Sequence, residues 1–235
     1  MKKALVILTA IVFTTLTMVC GQTREFAPVG TEWYFNESSF MGSATSYYRM
    51  ASVGDTVING HECRRITQPH YSSDLRGEQY VYNEGSTVYW YNAVIDDFTI
   101  LYDFSLEVGE VWTIEVDSCS YYVEILSVEE VTWEGHTYKI QNVVSDDWVF
   151  SGKIIEGIGY EYGLFPSGYA CHGEIYDGPA PDYLRCYLED GEMLYHSGSY
   201  GCDELTYWDG SIADAYDGGD GSEENPYQIA NAAQL

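Results

Sequence analysis

Two carboxylates are the first candidates for chemistry in this sequence, because glycoside hydrolysis uses a pair of Asp or Glu residues that flank the scissile bond. Asp103 follows Tyr102 at the predicted end of a strand, and Glu156 precedes Gly157-Ile158-Gly159. Facing one cleft, they would act as acid and base of a secreted hydrolase or a hydrolase accessory domain. Alternatively, Asp103 caps the next turn and Glu156 accepts hydrogen bonds from its turn backbone. Since the chain holds 37 Asp and Glu residues, chance pairs are expected and no catalytic residue is assigned.

The histidines and cysteines lack the spacing of a metal site or a nucleophilic couple. The 5 histidines show neither H-x-H nor H-x-x-x-H spacing, and no G-x-S-x-G elbow is present. Cys171 and His172 are adjacent, which on a strand directs them to opposite faces. No C-x₂-C pair supports zinc. We therefore predict no cofactor and a non-catalytic module that serves adhesion, spacing or ligand binding.

Calcium is the one metal that the composition allows. Asp214, Asp217 and Asp220 lie in a Gly-rich stretch together with Glu223 and Glu224. Carboxylates on a flexible loop can hold Ca²⁺. The spacing differs from that of an EF-hand, and a solvated linker has the same composition, so both interpretations stay open.

The charge of the chain restricts its partners. With 10 Lys and Arg against 37 Asp and Glu, the net charge is −27. Such a surface repels phosphate backbones and anionic membranes, which argues against nucleic-acid binding. A carbohydrate or a protein ligand is compatible with it. Four tryptophans can stack on sugars, although core packing explains strand tryptophans equally well; they are Trp90, Trp112, Trp133 and Trp148.

The N-terminus has the three parts of a secretory signal. Met1-Lys2-Lys3 is basic, Ala4 to Val19 is uncharged, and Val19-Cys20-Gly21 fits a cleavage site after Gly21. The uncharged run is too short for a transmembrane span. Without Lys2 and Lys3 the charge becomes 8 − 37 = −29. The alternative is a lipoprotein processed and lipidated at Cys20. Either way we expect an exported protein, secreted or on the outer surface.

Five cysteines outside the signal are candidates for disulfide bonds, since exported proteins meet oxidising conditions. They are Cys63, Cys119, Cys171, Cys186 and Cys202. Five cysteines form at most two bridges and leave one thiol free, buried or intermolecular. Because Cys171, Cys186 and Cys202 are close in sequence, one bridge is expected among them.

The fold prediction is all-β, from strand-forming segments joined by tight turns over residues 22–204. Asn59-Gly60, Glu84-Gly85, Glu134-Gly135 and Asp190-Gly191 each separate two such segments, which is a hairpin signal. We expect an antiparallel meander that forms a barrel or a sandwich, since both cover exposed strand edges. Residues 205–226 are acidic and Gly-rich and are predicted to be a linker, and 227–235 start a truncated downstream domain.

Two segments resemble known families. The run Gly218-Gly219-x-Gly221-Ser222-Glu223-Glu224-x-Pro226-Tyr227-x-Ile229 resembles the lead-in to GLUG-type, right-handed β-helix repeat regions of bacterial surface proteins. Gly54-Asp55-Thr56-x-Ile58-Asn59-Gly60 and Leu101-Tyr102-Asp103-Phe104-Ser105-Leu106-x-Val108-Gly109-Glu110-x-Trp112, followed by Glu156-Gly157-Ile158-Gly159, resemble an uncharacterised N-terminal module of proteins exported by the type IX secretion system. The resemblances imply a cell-surface or extracellular location and a longer protein. They imply no activity.

Overall fold

The structure is a computed structural model that describes most of the predicted β-domain. It covers residues 24–38, 47–67, 77–133, 135–146, 149–166, 171, 180–198, 201–204, 218–222 and 224–228. The predicted signal with its cleavage after Gly21, the alternative lipidation at Cys20, and most of the predicted linker lie outside these residues. So do Trp148 and His172.

Thirteen strands in the described residues form two antiparallel sheets. The eight-stranded sheet has the order β13-β12-β1-β2-β3-β4-β5-β6 and the five-stranded sheet β11-β10-β9-β8-β7. The larger sheet contains β1 (Thr31–Ser38), β2 (Tyr47–Ile58), β3 (His61–Thr67), β4 (Glu78–Glu84), β5 (Thr87–Asn92), β6 (Asp97–Asp103), β12 (Ala180–Glu189) and β13 (Glu192–His196). The smaller contains β7 (Val111–Val116), β8 (Cys119–Trp133), β9 (His136–Ser145), β10 (Ser151–Ile155) and β11 (Gly159–Tyr160).

The strands and their antiparallel pairing confirm the all-β prediction. The two sheets enclose one apolar core. Buried side chains from both sheets belong to a single cluster, among them Trp33, Tyr102 and Ile125. Polar bonds also join the layers: the Trp33 Nε1–H donates to the Ile158 carbonyl (2.7 Å), and Gln141 Nε2 donates to the Asp103 carbonyl (3.0 Å). Such bonds satisfy backbone groups where strands end.

All four predicted hairpins form, with one shift in position. Asn59 and Asp190 adopt positive φ angles (50° and 49°) and are followed by glycines that do the same, as type I′ hairpin turns require. In the hairpin of β4 and β5, Glu84 pairs with Thr87, so the turn residues are Gly85 and Ser86 rather than the predicted Glu84-Gly85. Placing Gly first leaves Glu84 free to pair in β4.

The side chains of β8 alternate between core and solvent only in the first half of the strand. Tyr121, Val123 and Ile125 all point into the core. The register with β9 shifts between Ile125 and Ser127, and Ser127 is exposed, although a continued alternation would place it on the core face. A β-bulge inserts one residue into one strand and inverts the alternation after it, which explains the difference.

The segment before β1 is part of the fold. Phe26 and Ala27 are fully buried, and the Ser52 Oγ–H donates to the Ala27 carbonyl (2.9 Å). Arg24 pairs with Glu189 of β12 at 2.9 Å, and Arg64 of β3 pairs with Glu25. We call residues 24–30 the strap, because they cross from one part of the larger sheet to another.

Two disulfides cross-link the chain. Cys119 is bonded to Cys171 and Cys186 to Cys202, with a Cα–Cα distance of 5.5 Å in each pair. The expected bridge within the Cys171–Cys202 segment is therefore the Cys186–Cys202 bond. Among the cysteines that the structure describes, Cys63 is the free one, and it is buried. The disulfides are compatible with an extracellular location.

A backbone bridge joins the end of the predicted linker to the start of the predicted downstream segment. Gly218 and Gln228 make an isolated antiparallel bridge, and the Gln228 N–H donates to the Gly218 carbonyl (2.8 Å). Within the described part of the chain, no helix has the length and apolar character needed to cross a membrane.

Candidate functional site

Asp103 lies at the end of β6 and caps the turn that follows. One of its carboxylate oxygens, Oδ1, accepts hydrogen bonds from the Ser105 N–H (2.9 Å) and the Ser105 hydroxyl (2.5 Å). This is the structural role that the sequence offered as the alternative to catalysis.

Glu156 follows β10 and is half-buried beside Lys139. Burial raises the pKa of its carboxyl group, Lys139 lowers it, and Glu130 raises it again. The turn backbone was the predicted partner of this carboxylate. In the described residues its side chain makes no such hydrogen bond, whereas the Glu156 N–H donates to the Lys139 carbonyl (2.9 Å). Neither Asp103 nor Glu156 lines either of the two open grooves described below.

The calcium candidates are only partly visible. Asp214 and Asp217 lie outside the described residues. Asp220 accepts a hydrogen bond from the Ser222 N–H (3.0 Å), and bonding to Ser222 lowers its pKa. Among the residues that the structure describes, no three His, Cys, Asp or Glu side chains are grouped as a metal site requires.

The tryptophans serve mainly as core residues. Trp90 and Trp112 are buried, and Trp133 is partly buried against the core. Trp90 and Trp112 therefore offer no platform for a sugar, and the structural alternative explains them.

A different set of aromatic rings covers the outer face of the larger sheet. Along β4 and β5, Val81 and Trp90 face the core while their neighbours face solvent. We call the outward-facing rings on β3 to β6 the aromatic row: His61, Tyr80, Tyr82, Tyr89, Tyr91 and Phe98. His61 is exposed and the other five are half-buried.

The aromatic row is packed as one unit. The Tyr82 ring stacks on His61 (centroids 4.3 Å apart) and on Tyr89 (4.7 Å). Phe98 contacts Tyr82 edge-on at 4.8 Å. Cross-strand aromatic pairs of this kind stabilise a sheet by about 0.2–1 kcal/mol each.

The larger sheet coils around this row. Asn59 Nδ2 in the β2–β3 turn donates to the Asp96 carbonyl in the β5–β6 turn (3.2 Å). The two turns lie at opposite ends of the strands between them, so a bond between them requires strong coiling. The outer face is therefore concave here.

Two tyrosine hydroxyls of the row are available to a ligand. Tyr80 and Tyr91 donate to Glu78 and Asp96, but the hydroxyls of the half-buried Tyr82 and Tyr89 make no hydrogen bond to a described residue. Partial burial, with Tyr89 and Glu84 as further causes, raises the pKa of Tyr82 to about 12. The Tyr82 hydroxyl therefore keeps its proton and stays a hydrogen-bond donor at neutral pH.

An open groove adjoins the row at His61 and Tyr82. It has a volume of about 760 Å³ and runs along the strap, the β2–β3 hairpin and β4. Its lining includes four carboxylates and one guanidinium group, 1 − 4 = −3, from Glu25, Asp55, Glu62, Glu84 and Arg64. Arg64 is bonded to Glu25 and Asp55. The groove therefore has carboxylate hydrogen-bond acceptors beside the rings of His61 and Tyr82.

No protein-family model, curated protein or solved structure matches this chain.

The sequence signal for the aromatic row was visible but ambiguous. In Val81-Tyr82 and Val88-Tyr89-Trp90-Tyr91 every position suits a strand, which is compatible with strands covered on both faces. Only the structure shows that Val81 and Trp90 face the core, whereas the tyrosines face the outer side of the larger sheet. Arg185 was missed altogether: it is fully buried, and its guanidinium bonds Asn36 and the carbonyl of Glu204.

Proposed function

We propose that this chain is a non-catalytic module of an exported extracellular or cell-surface protein, and that its aromatic row binds a neutral glycan. Export follows from the signal ending at Gly21, and the resemblance to the type IX-secreted module supports the same location. The ligand follows from the chemistry of the concave face.

The observation that carries the glycan proposal is the pair of hydroxyls on Tyr82 and Tyr89. The two rings that carry them are stacked nearly parallel, with centroids 4.7 Å apart. Sugar hydroxyls both donate and accept hydrogen bonds, so they match phenol groups in the row and carboxylates in the adjoining groove. The ring edges supply apolar contact.

The charge of the site favours a neutral glycan over a polyanionic one. The groove has a surplus of carboxylates, and the chain as a whole carries −27. Uronic acid or sulfate groups would be repelled there. This restricts the ligand class to glucans, mannans, xylans and similar polymers.

Calorimetric titration against a panel of soluble neutral and acidic polysaccharides tests the proposal. Tyr82→Phe and Tyr89→Phe each remove a hydroxyl and keep the ring stack, so the fold is preserved. We expect a neutral glycan to bind and each variant to lose about 3- to 10-fold in affinity, the value of one hydrogen bond. Tyr122→Phe is the matched control, since Tyr122 is 58% exposed on the other sheet. The proposal is wrong if no neutral glycan binds, or if all three variants behave alike.

The second candidate function is a hydrolase or hydrolase accessory domain using Asp103 and Glu156. Hydrolysis by these two carboxylates requires that both face one cleft, on either side of the scissile bond. Asp103 is engaged with Ser105, and neither residue lines either groove, so we rank this candidate below glycan binding. Glycan release assays with the same panel test it directly.

A further inference from the structure

The last strand of the larger sheet has an unpaired edge. β13 pairs with β12 on one side, from Cys186↔His196 to Glu189↔Glu192. Among the described residues no strand pairs with its other side. Such an edge presents backbone N–H and C=O groups that another strand can use.

A second groove lies along this edge. It has a volume of about 600 Å³ and is lined by Thr132 and Trp133 at the tip of β8 and by residues 193–196 of β13. The Trp133 and Tyr195 rings meet edge-on at 5.1 Å. Met193 is 49% exposed beside them. An edge strand is thus accompanied by an apolar, partly aromatic wall.

We propose that β13 and this groove form a docking site for an extended, basic segment of a partner protein, which adds to the sheet as a further strand. In strand addition the backbone bonds provide affinity and pockets for alternate side chains provide specificity. Met193 and Trp133 are placed to receive the apolar side chains of such a segment. This site is independent of glycan binding, because β13 and β3–β6 lie at different ends of the sheet.

Charge determines the kind of partner. Glu192 on β13 and Asp190 in the preceding turn are both exposed. They repel a second copy of this acidic chain, which carries −27, so self-association through the edge is disfavoured. The same carboxylates attract a segment in which Lys or Arg alternates with apolar residues.

Three labelled peptides test the site by fluorescence anisotropy with the full chain. The first alternates Val and Lys, and the second alternates Val and Glu. The third is the first peptide with Pro in place of every second Val. Proline cannot donate to a strand ladder, so the third peptide keeps the charge and loses the strand. We expect only the first to bind, with its affinity lowered about 5-fold or more by Met193→Ser. Leu126→Ser, at a residue 53% exposed on β8, is the control and should change nothing.

Hydrogen exchange on the wild-type chain supplies a second readout. Binding of the Val-Lys peptide should slow exchange of the backbone amides within 192–196. Equal binding of the proline peptide would show that charge alone acts, and the strand proposal would fail. Binding without protection of 192–196 would also overturn it, as would no binding at all.

Discussion

The side-chain amide of Asn83 holds both backbone groups of Phe26. Asn83 Oδ1 accepts a hydrogen bond from the Phe26 N–H, and Asn83 Nδ2 donates to the Phe26 carbonyl, each at 3.0 Å. One side chain on β4 thereby imitates the bonding of a neighbouring strand. It fixes the strap at the point where the buried Phe26 ring enters the core beside Trp33 and Tyr102.

Replacing Asn83 by Ala should therefore destabilise the fold. The substitution leaves a donor and an acceptor of Phe26 without partners, which costs about 2–4 kcal/mol in the free energy of unfolding. Urea unfolding measures it. Asn142→Ala is the control, since Asn142 makes one exposed bond to Ser127 (2.8 Å). Equal stability of the two variants would contradict the role given to Asn83.

The two disulfides should differ in their contributions. The Cys119–Cys171 bond spans 52 residues and the Cys186–Cys202 bond 16. On the chain-entropy model, closing these loops stabilises the fold by about 4 and about 3 kcal/mol. We expect the double serine variant at Cys119 and Cys171 to lose more stability, measured by denaturant unfolding. A larger loss for the shorter loop would argue against this ordering.

Glu156 should make stability depend on pH. Burial raises its pKa above the ordinary value of 4.5, so the folded chain keeps this proton to higher pH than the unfolded chain. Its contribution is most favourable below pH 4.5 and is lost as pH rises through the folded-state pKa. Glu156→Gln should raise the melting temperature at pH 7 and leave it unchanged near pH 3. The exposed Glu124→Gln is the control, and an equal gain at both pH values would refute the argument.

Cys63 should be unreactive in the folded chain. It is 1% exposed, and burial raises the pKa of its thiol, so little thiolate forms. In a chain with Cys20 replaced by Ser, Ellman's reagent should detect no thiol in the native state and one in guanidinium chloride. Rapid native labelling would mean that the outer face opens at Cys63.

Local chemistry made the hairpins predictable, and long-range contacts explain what the sequence left open. The Asn59-Gly60 turn depends on two adjacent residues, whereas the bond from Asn59 to Asp96 depends on coiling across several strands. The Cys186–Cys202 bridge could be expected from proximity in sequence. The partner of Cys119 could not, because 52 residues separate it from Cys171.

The candidate site was harder to predict than the fold. A tyrosine on a strand has the same local signal whether it faces the core or solvent, as Tyr102 and Tyr82 show. Tyr102 is fully buried, and its hydroxyl bonds the Leu164 carbonyl and the Tyr160 N–H. Tyr82 belongs to the aromatic row. Only the register of the sheet separates the two environments.

Hydroxyl-radical footprinting read by mass spectrometry tests the glycan account most directly, because it reports the exposure of individual side chains. With a neutral glycan from the binding panel, oxidation of Tyr82, Tyr89 and His61 should fall, while oxidation of Tyr122 on the other sheet stays the same. Unchanged oxidation of the aromatic row in the presence of bound glycan, or protection confined to the smaller sheet, would contradict the account.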